Sequence, residues 1–223
     1  MEDIKNLNLY FDHTLLKPEA TEEEVAKLCR EAKEYGFYAV CVNSCYVPLA
    51  AEILRGTDVK IASVVGFPLG ACSMDVKAFE TEWACSEGAE EIDMVIHVGA
   101  LKEGRYDYVR QDIATVVAVA EEHGAAVKVI LETCLLTDEE IVKACELSRE
   151  AGASFVKTST GFSKAGATAH HVALMKKTVG RDLRVKASGG IRDLAKAVEM
   201  IKAGADRIGA SASVEIVKES VKL

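Results

Sequence analysis

The chain has 223 residues, of which 49% are hydrophobic and 28% charged, and a net charge of −8. That length and apolar content suit one α/β domain with a sizeable core. The acidic balance argues against a nucleic-acid binder, which would need a basic field. No apolar run approaches the roughly 20 residues that span a membrane, and no leader-like start is visible, so no membrane partner and a cytoplasmic location are expected.

The elements alternate along the chain. β-rich runs fall at 10–16 (YFDHTLL), 39–43 (AVCVN), 61–67 (IASVVGF), 91–98 (EIDMVIHV), 127–133 (VKVILET), 155–160 (FVKTST), 184–190 (RVKASGG) and 206–211 (DRIGAS). Between them lie charged, Ala/Leu/Glu-rich stretches of helical period. One opens at Thr21 with Glu24 at the capping-box offset and stops at Gly36; a second runs on the same plan from Thr137 to Gly152. Eight strand–helix units in this length fit a closed (β/α)8 TIM barrel occupying residues 1–223 as a single catalytic domain. An open doubly wound sheet is the alternative, but no GxGxxG follows the first strand. The seven cysteines lie mostly in apolar segments and read as reduced core thiols. No zinc pattern is present: Cys41 and Cys45 have no accompanying histidine, and adjacent His170 and His171 on a helix point about 100° apart. No metal or cofactor is therefore expected.

Three late strands carry a lysine in a β context: Lys128, Lys157 and Lys186. A strand lysine ordinarily snorkels to solvent or pairs with a carboxylate, but a barrel strand has no wet face. Lys157 and Lys186 lie on sequential strands, each four residues before a loop glycine, Gly161 and Gly190, and so at similar height. Two ammonium groups held together each favour the neutral form of the other, and a desolvated lysine beside a cation is a means of making an amine nucleophile. Asp93, set among Ile92, Met94 and Val95, is either an ion-pair partner or a general acid/base. Asp12 is expected to support this network, with His13 beside it structural.

The loops after the last two strands carry Gly189, Gly190, Gly209 and Ser211, followed by a short helix. Backbone N–H groups there suit a phosphate; ordinary glycine turns are the plainer reading. Arg192 and Arg207 are nearby cations, each equally readable as a solvated salt-bridge member, and the 158–168 loop is a candidate to close over the same ligand with Lys164 reaching it, a flexible polar loop being the plainer account.

Taken together, DHTLLKPEAT, AVCVN, GFPLGA, EIDMVI, KVILETCLLTDEEI, FVKTSTGF, VKASGGIR and RIGAS resemble the signature segments of the 2-deoxyribose-5-phosphate aldolase family, in order, from about residue 9 to residue 218. The resemblance implies a class I aldolase on a (β/α)8 barrel. It implies reversible cleavage of 2-deoxy-D-ribose 5-phosphate to acetaldehyde and D-glyceraldehyde 3-phosphate. It places the Schiff-base lysine at Lys157, the assisting lysine at Lys186 and the proton-relay aspartate at Asp93, with Lys128 a neighbour in the charge network. Small phosphorylated sugars and aldehydes are the implied partners, and a homodimer or homotetramer the implied assembly. Ser44 and His97 depart from the family pattern, and His97 is near enough in parity to Asp93 for contact with the pocket to be considered. The C-terminal tyrosine of some relatives has no counterpart in ESVKL, so that role is not carried over.

Overall fold

The computed structural model describes residues 4–221, so the last two residues of ESVKL lie outside the described residues. Eight strands alternate with helices in chain order. The strands are β1 (Phe11–Leu15), β2 (Ala39–Val42), β3 (Lys60–Val65), β4 (Glu91–Val95), β5 (Ala126–Ile130), β6 (Phe155–Lys157), β7 (Arg184–Ser188) and β8 (Arg207–Ala210). The helices are α1 (Glu22–Tyr35), α2 (Val47–Leu54), α3 (Met74–Ser86), α4 (Val98–Lys102), α5 (Tyr106–Glu122), α6 (Asp138–Glu150), α7 (Ala169–Val179), α8 (Leu194–Lys202) and α9 (Ser213–Ser220). All neighbouring strands pair in parallel, and β8 pairs back to β1, which closes the barrel.

Local chemistry explains the boundaries. Thr21 and Thr137 each accept a backbone N–H at the third helical position, and Glu24 and Glu140 return the bond to the cap, so both expected capping boxes form. Gly36 ends α1 with φ +62°, a left-handed conformation that suits glycine. Strand β6 stops at Lys157, earlier than the β-rich run that continues to Thr160. Beyond it, backbone bonds persist at Thr158, and side-chain bonds join them: Thr158 Oγ1 donates to the Ser188 carbonyl at 3.1 Å, and Thr160 N–H donates to Glu132 Oε1 at 3.3 Å. The run at 91–98 likewise leaves the sheet after Val95. His97 caps the short α4, its Nδ1 accepting from Ala100 N–H at 3.1 Å.

The main core lies between sheet and helices and takes one face of each strand, for example Val40, Ile92, Val129, Val156, Val185 and Ile208. The other face fills the barrel, and it is divided. Cys41, Ala62 and Val64 on β2 and β3 form a small apolar cluster with Leu16, against which Phe67 packs. The remaining strands bring in Asp12, Glu91, Asp93, Lys128, Lys157, Lys186 and Arg207, all buried. A separate buried pair stands among the helices: Lys77 Nζ lies 2.5 Å from Asp112 Oδ2 and donates to the Val95 carbonyl at 2.9 Å, which ties α3 and α5 to the end of β4.

Candidate active site at the mouth of the barrel

Register assembles the charged half of the interior. Lys157 is the Cα partner of Lys186, and Asp93 the partner of Lys128, so alternate residues of adjacent strands meet inside. Asp93 is the hub. Its Oδ2 accepts from Lys157 Nζ at 2.8 Å and from Lys186 Nζ at 2.7 Å, and its Oδ1 from Lys128 Nζ at 2.7 Å. Lys186 also meets Asp12 Oδ2 at 2.5 Å. Lys128 meets Glu91 Oε2 at 2.5 Å and Asp12 Oδ2 at 3.5 Å.

These contacts do not treat the three lysines alike. Burial works against every charge here, but Lys128, with Asp93, Glu91 and Asp12 around it, is pushed above the usual lysine range. Lys186 is also raised, because Asp12 and Asp93 outweigh its desolvation. Lys157 moves the other way: burial and, secondarily, Lys186 lower it, opposed by Asp93 and more weakly by Cys41. Asp93 and Asp12 are held well below the carboxylate range, the surrounding cations outweighing burial. The symmetric effect expected of two crowded lysines is thus not what the geometry produces. Only one of them is shifted toward the neutral form, and desolvation is the larger cause.

Lys157 is also the lysine that reaches the open end. It lines a pocket of about 340 Å³ together with Thr14, Lys17, Gly161, Ser188 and Arg192. Gly189, Gly190, Gly209 and Ser211 line it too, so the glycines and the serine expected at an anion site border this cavity. Gly189 and Gly190 take φ +85° and +75°, and a Cβ at Gly166 would lie 2.1 Å from the Gly189 carbonyl oxygen, which shows how closely the 158–168 loop packs on the β7 loop. At Gly209 a Cβ would come within 3.0 Å of Lys186 Cε. That glycine therefore gives the lysine its room as well as bordering the pocket.

Several expectations need correction. Arg207 does not stand at the pocket; it lies inside the barrel with Nη1 2.7 Å from Asp12 Oδ1. Its position at the first residue of β8 puts it at the closed end. Lys164 is exposed and away from the lining, whereas Phe162 of the same loop borders the pocket and packs edge-on against Phe67, with centroids 5.3 Å apart. His97 caps α4 and packs on Tyr108 without lining the pocket. Of the cysteines, Cys45 is exposed and Cys72 and Cys134 are partly so, which leaves Cys29, Cys41, Cys85 and Cys145 as core thiols. His13 is structural as expected, with Nε2 2.9 Å from Glu31. His170, His171 and Asp138 come together at the surface, their ligand atoms within 4.8 Å of one another. The helical angle between the two histidines did not foresee this. Each histidine already has a protein partner, Asp138 for His170 at 2.7 Å and Thr133 for His171 at 3.1 Å.

Glu91 escaped sequence reasoning because it opens its strand beside Glu90 and reads as a surface acid. Its parity with Asp93, two residues on, was the signal available. Glu132 escaped as well. It takes the left-handed conformation at φ +58°, is buried, and accepts both the N–H and the hydroxyl of Thr160.

Comparison with known proteins gives consistent matches. A family model described as DeoC/LacD family aldolase matches residues 7–218. A deoxyribose-phosphate aldolase of Clostridium tetani is 61% identical over 211 residues, covering 95% of this chain and 97% of that protein. One from Caldanaerobacter subterraneus subsp. tengcongensis is 58% identical over 219 residues, covering 98% and 95%. Among solved structures, the tetrameric deoxyribose phosphate aldolase of Aeropyrum pernix superposes with a TM-score of 0.91 at 39% identity, covering 97% of this chain and 91% of that one.

Proposed function

The chain belongs to the DeoC/LacD family of aldolases, and on that footing we propose that it reversibly cleaves 2-deoxy-D-ribose 5-phosphate to acetaldehyde and D-glyceraldehyde 3-phosphate through an imine on Lys157. The observation that carries the reading is the asymmetry of the lysines: Lys157 alone of the three lines the pocket, and it alone is shifted toward the neutral amine.

The chemistry follows from that position. Neutral Lys157 Nζ adds to the C1 aldehyde of the open-chain sugar, and the carbinolamine loses water to give a protonated imine. The C3 hydroxyl then gives up its proton, the C2–C3 bond breaks, and its electron pair enters the imine as an enamine. Protonation at C2 and hydrolysis release acetaldehyde and restore the amine. Asp93 and Lys186, which share a hydrogen bond 2.7 Å long beside Lys157, are the groups placed to carry these protons. The glycine amides at 189, 190 and 209, the Ser211 hydroxyl and the Arg192 and Lys17 cations border the same cavity and suit the phosphate.

Borohydride reduction in the presence of acetaldehyde tests the proposal. A two-carbon adduct on the peptide containing Lys157 is expected. An adduct confined to surface lysines, or turnover unaffected by Lys157→Leu, would remove it. A homo-oligomer and a cytoplasmic location belong to the same proposal. The Aeropyrum relative is described as tetrameric, α3 presents Val76 and Phe79 to solvent, and no helix among the described residues is long and apolar enough to cross a membrane.

A further inference from the structure

Beneath the catalytic lysines the barrel holds two charged groups that the imine chemistry does not use. Glu91 and Arg207 open β4 and β8 and are 5% and 3% exposed. Arg207 Nη1 donates to Asp12 Oδ1 at 2.7 Å and lies 3.3 Å from Glu91 Oε2. Its guanidinium rests 3.5 Å from the Tyr38 ring centroid and 5.4 Å from that of Phe155, and Arg184 covers Phe155 at 4.1 Å. This aromatic floor shields the cluster from water and strengthens each charge within it.

The titratable groups that face Lys157 are few enough to follow one by one. β1 supplies Asp12, β2 the Cys41 thiol, β4 Glu91 and Asp93, β5 Lys128, β7 Lys186 and β8 Arg207, while β3 presents Ala62 and Val64. Four basic side chains thus meet three carboxylates. Arg207 cannot deprotonate. Lys128 touches all three carboxylates and Lys186 touches two. Lys157 touches Asp93 alone, through an oxygen it shares with Lys186.

We propose that Glu91 and Arg207 are positioning residues of opposite sign that set the charge balance around Lys157, whose carboxylate contact is an oxygen it shares with Lys186. Each acts through a neighbour. Arg207 engages Asp12, so that Asp12 has less charge to offer Lys186 and Lys128, and both keep drawing on Asp93. Glu91 engages Lys128, which would otherwise draw more on Asp93 and loosen its hold on Lys157. The inference rests on the imine reading for the role of Lys157, but its sign can be read without sugar phosphate.

The experiment follows the pH dependence of Lys157 labelling by formaldehyde and cyanoborohydride, mapped by peptide mass spectrometry, beside the acid limb of kcat/KM for cleavage. Arg207→Met removes a positive charge and moves the labelling midpoint to higher pH. Glu91→Gln removes a negative charge and moves it to lower pH. Each shift is about half to one pH unit, or about three- to tenfold in rate at a fixed pH on the limb. The Glu91→Gln/Arg207→Met double variant returns toward the parent midpoint, and Arg207→Lys retains it. Shifts of the same sign in the two single variants, or unmoved midpoints, overturn the proposal, since loss of packing alone lowers rates without a signed displacement. Should Arg207→Met fail to fold, Glu91→Gln keeps its size and its acceptor oxygen and carries the signed result alone. If the protein cleaves no sugar phosphate yet the opposite shifts appear in labelling, the aldolase reading fails and this one stands. Cleavage with unmoved midpoints sinks this one alone.

Discussion

Replacing Lys186 with methionine removes a cation and keeps an unbranched side chain of similar length. In the native barrel the Lys157 and Lys186 nitrogens donate to one Asp93 oxygen, at 2.8 and 2.7 Å. Two unit charges about 4 Å apart repel by about 4 kcal/mol at an effective dielectric of about 20. At about 1.4 kcal/mol per unit, removing that repulsion would raise the Lys157 pKa by as much as about three units. Water admitted to the vacated space screens the remaining charges, so the expected rise is about one to two units. The sign is definite, because the variant also leaves Asp93 freer to hold Lys157 as an ammonium. The acid limb of kcat/KM for cleavage therefore moves to higher pH, and activity at a fixed pH on that limb falls about 10- to 100-fold. Raising the pH recovers that part of the loss; the part due to a missing proton carrier persists. Asp12 still has Arg207 at 2.7 Å and Lys128 at 3.5 Å. The stability cost should therefore fall below the about 3–5 kcal/mol typical of breaking an isolated buried pair, and thermal melts check that the variant is folded. An acid limb at its original pH in a folded Lys186→Met protein would refute the reasoning.

Other outcomes follow from the same coordinates. Ser211→Glu puts a carboxylate on the wall of the anion pocket and should raise KM for the phosphorylated sugar with little change in kcat; unphosphorylated deoxyribose should be affected far less. Thiol reagents should label exposed Cys45 first and the half-buried Cys72 and Cys134 more slowly. Cys29 and Cys85, with pKa values pushed by burial up to about 11, and Cys145, up to about 12, should react only on unfolding, as peptide mapping with and without denaturant would reveal. Asp12 and Asp93 have depressed pKa values in the fold, so their contribution is fully present above the unfolded value of about 3.9 and is lost as pH falls through the folded values. The melting temperature should thus hold from neutral pH to about pH 4 and drop below it. A decline beginning near pH 6, followed by circular dichroism, would point to histidines instead.

Much of this protein was legible in its sequence, for local reasons. Capping boxes at Thr21 and Thr137 depend on residues three apart, and the strand–helix alternation depends on the spacing of apolar side chains within short windows. Those signals yielded the eight strands and the closed parallel barrel. The equal offsets of Lys157 and Lys186 from Gly161 and Gly190 placed them at similar height, and the sheet pairs them directly. The lining glycines of the pocket were readable because they stand in the loops that follow the late strands, and those loops gather at one end of a (β/α)8 barrel. What tertiary structure alone decided is how charge is shared among side chains far apart in the chain. Arg207 looked like a cation near the phosphate loops and Glu91 like a surface acid. Closing β8 onto β1 puts Arg207 beside Asp12, 195 residues away. All three lysines are desolvated, and which of them is shifted toward the neutral form depends on how many carboxylates offset that burial, a count that exists only after the barrel closes.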